Sequence, residues 1–443
     1  MMNRIGALFL LAASLVPAFA QTGWKAGVAK VAITPSEPMW LAGFAARTKP
    51  SEGVRQDIFV SALALQDETG KTSVLVAIDL VGIKREMAEE LAARCEKLYG
   101  ITRDRLVFNV SHTHSAPVVS EDLTPIYDMN DALREASRRY SKVFVEKTMD
   151  AIGKAIHDLA PANLTFGQGL AGIAVNRRRV SRRSLPGPVD HDVPVLAVRD
   201  AKGALRVVVV GYACHATALN DYLISNDWPG FAREAIEKAH PGATALFVQG
   251  CGADSNSLPR GGEALARKHG ETLAAAAEQV LKGKMKPVAG PLRTALECVD
   301  VPFHNILTRE ELQKRLEAKQ LMYRKPARVL LDELDQNGKL PASYPYPVQV
   351  WQFGKSLKFI VLGGETVVDY SLRLKGQYGF DDTWVAGYSN DILAYIPSKR
   401  VSQEGGYEGG EALILFARPG VFSAAVEEII VEKVGDLVAR TSN

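Results

Sequence analysis

The chain has 443 residues, of which 47% are hydrophobic and 23% charged, and its formal net charge is +3. This balance is ordinary for a globular protein and too weakly basic to argue for a nucleic-acid partner. The four cysteines, Cys95, Cys214, Cys251 and Cys298, are too few for a disulfide framework at this length. Cys214 and Cys251 read either as a pair formed in an oxidising compartment or as two small buried residues.

The first 20 residues stand apart from the rest. Arg4 gives a positive start, residues 5–16 an apolar core, and Ala18-Phe19-Ala20 a small-x-small site. The pattern predicts a secretory signal peptide cut after Ala20, leaving a mature chain of residues 21–443 that is periplasmic or secreted. Its apolar core is too short to span a bilayer, and no later stretch is long and apolar enough.

Alternation then predicts strands at 28–35, 57–66 and 73–81, the last apolar throughout and therefore central. Residues 84–99 have helical spacing. Residues 101–111 lead into Asn109-Val110-Ser111-His112-Thr113-His114-Ser115-Ala116-Pro117. A long helix is predicted over 131–159, with Val143, Val145, Met149, Ile152 and Ile156 as its apolar positions. Strands follow near 163–169, 193–199, 205–213 and 243–248, with helices at 229–239 and 262–282. The remainder reads as a strand at 290–302, a charged helix at 308–322, a polar connector at 325–345, a hairpin of 347–353 with 357–362, and helices at 366–375 and 420–440. Strands and helices are mixed along the whole length with no dividing linker. The expectation is one large α/β (α+β) domain with mixed β-sheets and surrounding helices.

Five stretches place polar residues directly after an apolar strand, which is where sites are built. In the first, His112 and His114 are two apart, so on an extended strand end both project into one pocket. They read either as metal ligands or as two hydrogen-bonded imidazoles. His215 comes straight off the second, Val207–Val210 onward, as a functional residue or a satisfied core histidine. The third, Gln249-Gly250-Cys251-Gly252-Ala253-Asp254-Ser255-Asn256, lacks the lysine of a phosphate-binding loop. It is a tight turn or a loop whose N–H groups approach a substrate. Glu365 follows Gly363-Gly364, placed either to bind a metal or to cap the next helix. The fifth carries Tyr388, Tyr395 and Tyr407. No H-E-x-x-H, G-x-S-x-G or S-x-x-K motif is present. Asn109 and Asn163 head N-x-S/T sequons, but both fall on predicted strands.

In their shared order, G-V-A-K-V-A-I-T-P, H-T-H-S-A-P, N-R-R, C-H-A-T, S-N-D-W-P-G, G-Y-S-N-D and Y-E-G resemble the neutral/alkaline ceramidase family over most of the mature chain. The resemblance implies a zinc amidohydrolase that cleaves an N-acyl bond by attack of zinc-bound water. It implies zinc ligands at His112, His215, Glu365 and Tyr395, and places His114 beside the reacting group. It also assigns Arg177 to orienting a polar substrate group, and Tyr407, twelve residues after Tyr395, to the site. There are two departures from the family. Asn256 stands where the ceramidases have a catalytic serine, with Ser255 one residue early, and the chain stops before their C-terminal immunoglobulin-like domain.

With the ligand set intact, the expectation is hydrolysis of a small N-acyl compound, a lipid or another amide, which need not be ceramide. His114, Tyr407 and the N–H groups after Gly252 are candidate oxyanion donors, and His114 the candidate proton donor to the leaving amine. Asp254 is a candidate partner for a ligand histidine. Arg178, Arg179, Arg182 and Arg183 form either a patch for an anionic or hydroxylated substrate or a solvated loop. The alternatives are an N-deacetylase or esterase acting on sugars or cell-wall material, and a ligand-binding homologue without catalysis.

Overall fold

A computed structural model describes residues 23–119, 125–179 and 187–442. The signal-peptide segment lies outside the described residues, as do Arg182 and Arg183.

The apolar strands assemble into one large twisted sheet. Its spatial order is Thr244–Gln249, Leu205–Tyr212, Asp192–Asp200, Ala160–Leu170, Trp24–Ala32, Phe59–Gln66, Thr72–Ile78 and Leu106–Val110, with Lys286–Val288 also paired to Ala160–Leu170. Most neighbours run antiparallel. The two outermost pairs, Thr244–Gln249 with Leu205–Tyr212 and Leu106–Val110 with Thr72–Ile78, are parallel.

Strands apolar at every position are buried on both faces. In Leu205–Tyr212, Val208 and Val210 meet the helices Asp227–Ala239 and Glu263–Lys282. Val207 and Val209 point the other way, into a layer shared with Trp351, Phe359 and Trp384. Those aromatic residues belong to a second sheet, ordered Thr383–Ala386, Leu357–Leu362, Ser343–Phe353, Leu292–His304 and Val421–Phe422. Its far face, with Val348, Val350, Ile360 and Leu362, is covered by the helix Val426–Ser442. The architecture is therefore helices, sheet, sheet, helix, an α/β fold with mixed sheets as the pattern predicts.

Several elements differ from their predicted form. The polar connector at 325–345 is instead the helix Leu321–Asn337 followed by the start of strand Ser343–Phe353. Arg324-Lys325-Pro326 conceals a helical stripe, Pro326, Ala327, Leu330 and Leu331, all buried. Burial of that stripe outweighs the one backbone hydrogen bond that Pro326 removes. The charged helix shortens to Arg309–Leu316, fixed at its start by a capping box of Thr308 and Glu311. In the helix Asp131–His157, Val143 is exposed, and the buried stripe runs through Tyr140, Phe144, Thr148 and Ile152.

The outer edges of the large sheet bend towards each other and are clasped by one side chain. Asn109 Oδ1 accepts from the Gln249 backbone N–H at 2.8 Å, and its amide lies 3.2 Å from Gln249 O, 2.9 Å from Gly387 O and 3.0 Å from Ser389 Oγ. The clasp draws the ends of Leu106–Val110, Thr244–Gln249 and Thr383–Ala386 to one place. Asn109 and Asn163 are both buried on strands, where a glycan has no room.

Candidate metal centre

Each residue of the centre leaves the end of a strand at this clasp. His112 follows Leu106–Val110 after a turn, with φ of 57°. That left-handed backbone ends the strand, so His112 and His114 converge through a bend and not as alternating strand neighbours. Their ring centroids are 4.9 Å apart and their Nε2 atoms 3.2 Å apart. His215 follows Leu205–Tyr212 and lies 5.0 Å, ring to ring, from His112. Glu365 follows the turn Gly363-Gly364, where Gly364 has φ of 67° and a side chain would strike Ala394 O and Ile396. Glu365–Thr366 pairs in parallel with Tyr395–Ile396, setting Glu365 opposite Tyr395. Glu365 does not cap the following helix, whose first turn starts at Val368.

The four groups around the centre are buried, His215 completely and His114 least, at 9% exposure. Glu365 Oε2 lies 3.2 Å from both His112 Nε2 and His215 Nε2. The opposite nitrogens are already committed. His112 Nδ1 is 2.6 Å from Val81 O, and His215 Nδ1 is 2.8 Å from Gly252 O. A nitrogen against a carbonyl must carry its proton, which leaves each Nε2 directed at the Glu365 carboxylate. Glu365 Oε2 makes no hydrogen bond outside this cluster. Three electron-rich atoms converging in a dry site fit a cation, and the backbone-held imidazoles match the usual outer support of metal-binding histidines. His112, His114 and His215 together form a buried group with donor atoms close enough to hold one ion. Burial, reinforced by Arg177, pushes the His215 imidazole down to about 4, and burial with the neighbouring histidines holds His114 well below its ordinary value. Both rings are neutral at neutral pH, the form that binds metals.

The other expected residues gather on one side. Arg177 Nη2 donates to Tyr395 Oη at 3.1 Å, and its Nη1 lies 3.4 Å from His215 Nε2. The Tyr395 ring packs against Tyr407, 5.2 Å between centroids, and Tyr407 is 44% exposed at the rim. Asn256 bridges His215 in parallel, so the two side chains share a face, and its Oδ1 accepts from Thr217 Oγ1 at 3.5 Å. An apolar cavity of about 50 Å³ opens from the centre, lined by Val81, Ile126, Ile392, Leu415 and Phe416 among others.

One expectation needs correction, and two readings left open are decided. Asp254 does not support a histidine: its carboxylate accepts from Asn176 Nδ2 at 3.0 Å and Val368 N at 2.9 Å, and the histidines are held by backbone carbonyls. Arg178 and Arg179 are not a free basic patch, because Glu404 and Glu408 bind them. All four cysteines are free, with Cys214 and Cys251 buried separately. The structure also brings in residues that the motifs did not single out. Gly43 lies flat against the His114 ring, and Glu408 binds Arg177 Nε at 2.6 Å. The Y-E-G motif contained Glu408, but nothing local marks Gly43.

The residues 24–299 match the family model of the neutral/alkaline non-lysosomal ceramidases, N-terminal part. The chain belongs to this family. Its fold is similar to the neutral ceramidase of Pseudomonas aeruginosa, with a TM-score of 0.76 and 18% identity over 95% of this chain and 75% of that one. A ceramidase complexed with C2 is similar at a TM-score of 0.73, again with 18% identity and 95% and 75% coverage. At this identity the two likenesses show the shared fold. No curated protein matches the chain.

Proposed function

We propose that this ceramidase-family hydrolase is an exported zinc-dependent amidohydrolase that cleaves an N-acyl bond of a small lipid or another amide. The observation that carries the reading is the buried convergence of His112, His114 and His215, with the Glu365 carboxylate oxygen 3.2 Å from the Nε2 atoms of His112 and His215. His112, His215, Glu365 and Tyr395 would hold the ion. When bound, zinc supplies Lewis acidity to a substrate carbonyl and makes a nucleophile of water near neutral pH.

The protein's own groups supply the rest. His114 lacks the carbonyl support of the other two histidines, since its Nδ1 has no partner, and it is the most exposed of the four. This favours the substrate side for His114, whose Nε2 is placed to pass a proton to a departing amine nitrogen. Tyr407 Oη at the rim is placed to donate to the oxygen that gains charge as the carbonyl carbon becomes tetrahedral. Arg177, fixed by Glu408, presents its fork towards Tyr395 and His215 and orients a polar substrate group. Asn256, on the His215 face, offers an amide where the resemblance expects a serine hydroxyl. The cavity bounded by the described residues is small, which favours a second reading, removal of a short acyl group as by an N-deacetylase. No helix among the described residues is long and apolar enough to cross a membrane.

Elemental analysis of the purified protein, with hydrolysis of N-acyl substrates of graded chain length, tests the proposal. About one zinc per chain is expected, with the metal and turnover both lost in His112→Ala. Turnover confined to acetyl or other short acyl groups selects the second reading. Asn256→Ala is expected to lower turnover with zinc retained. Protein without zinc, and indifferent to His112→Ala, sinks the metal reading.

A further inference from the structure

Tyr388 is a residue whose burial is hard to explain by packing alone. Its side chain is completely buried, yet its hydroxyl has no hydrogen-bond partner. Leaving a buried hydroxyl unpaired is costly, and a phenylalanine would fill the same space without that cost. The backbone at Tyr388 is also left-handed, with φ of 51°, a conformation that a residue with a Cβ adopts only against strain. Such strain collects at functional sites. Both penalties fall on one residue at the end of strand Thr383–Ala386, where the clasp gathers the centre.

Its position explains them. The Tyr388 ring lies 4.6 Å from the His112 ring and 6.0 Å from the His215 ring. Its backbone N–H donates to Gly364 O at 3.0 Å, tying Tyr388 to the residue before Glu365. Glu365 Oε2 lacks a donor in the same small volume. An orphan donor and an orphan acceptor thus belong to two residues that both adjoin the His112 imidazole.

Resting on the zinc reading above, we propose that Tyr388 is a positioning residue of the metal centre: its hydroxyl makes its hydrogen bond only when the centre is loaded, and there holds the carboxylate of Glu365 in its binding orientation. The hydroxyl contributes nothing to the empty protein and stabilises the loaded one. A tyrosine that served packing alone would act equally in both states.

Tyr388→Phe separates the two roles, read by zinc affinity in a chelator competition and by the melting temperature with and without zinc. The expected result is a metal-free variant that melts at or above the wild type, because an unpaired hydroxyl is gone. Zinc should then bind about 10- to 100-fold more weakly, as when other outer partners of metal ligands are removed. Its stabilisation by zinc should be correspondingly smaller. A metal-free variant that melts well below the wild type shows that the hydroxyl already had a structural partner and overturns the inference. Equal zinc affinity and equal zinc-induced stabilisation in both proteins also overturn it, leaving the zinc reading standing. A wild type that binds no zinc at all overturns both.

Discussion

Gly43 bounds His114, the proposed proton donor, from outside every motif. A Cβ built there would lie 2.3 Å from His114 Cγ, and φ at Gly43 is +93°, so only glycine lets the backbone pass. The ring also meets Phe44 in an edge contact, 4.7 Å between centroids. Gly43→Ala must displace the ring by about an ångström, and a shift of that size costs on the order of 100-fold in turnover. Zinc content should not change, because His112, His215, Glu365 and Tyr395 are untouched. Steady-state kinetics with a metal assay checks this, and loss of zinc in the variant would instead make His114 a ligand. At this scale the motifs pointed to His112, His114 and His215. They could not point to Gly43 or to the carbonyls of Val81 and Gly252, since a backbone carbonyl and a missing side chain leave no chemical mark in a sequence.

At the scale of elements, the site depends on strands that end together. The periodic apolar runs made most of these strands legible, and burial on both faces explains why the central ones alternate so little. The pairing that matters was not legible: Asn109 looks like a strand residue in a sequon, yet its amide substitutes for a backbone neighbour between two sheet edges. Asn109→Ala strands the Gln249 N–H, while Gln249 O keeps the Gly387 N–H and Gly387 O keeps the Ser389 hydroxyl. With one stranded group, the loss is expected to be about 1–3 kcal/mol. Urea unfolding measures it; a loss below about 1 kcal/mol would show that the edges hold without the clasp. The helix Leu321–Asn337 carries the same lesson in reverse. Its apolar stripe is present in the sequence, but Pro326 and the charges before it hide the period until tertiary burial selects the helix.

For the whole molecule, the centre joins both sheets. His112 and His215 extend from the large sheet, whereas Glu365 follows a strand of the second. A bound ion therefore ties the layers across the core that holds Trp351 and Trp384. Zinc at a hundredfold excess over its Kd should stabilise the fold by roughly 2.7 kcal/mol. Chelation is then expected to lower the melting temperature by a few degrees, with tryptophan fluorescence and far-ultraviolet dichroism falling in one transition. Two separated transitions would show that the sheets unfold independently of the centre.

The sequence by itself determined the α/β class, most strands and helices, and the polar residues that follow strand ends, because apolar period and strand termination are local properties of the chain. Only the tertiary structure decided which of those ends meet. Sheet order, the left-handed bend at His112 and the Asn109 clasp bring residues more than 250 positions apart, His112 and Glu365, to within 3.2 Å. No local pattern encodes that distance, since it follows from how the two sheets close on their shared core.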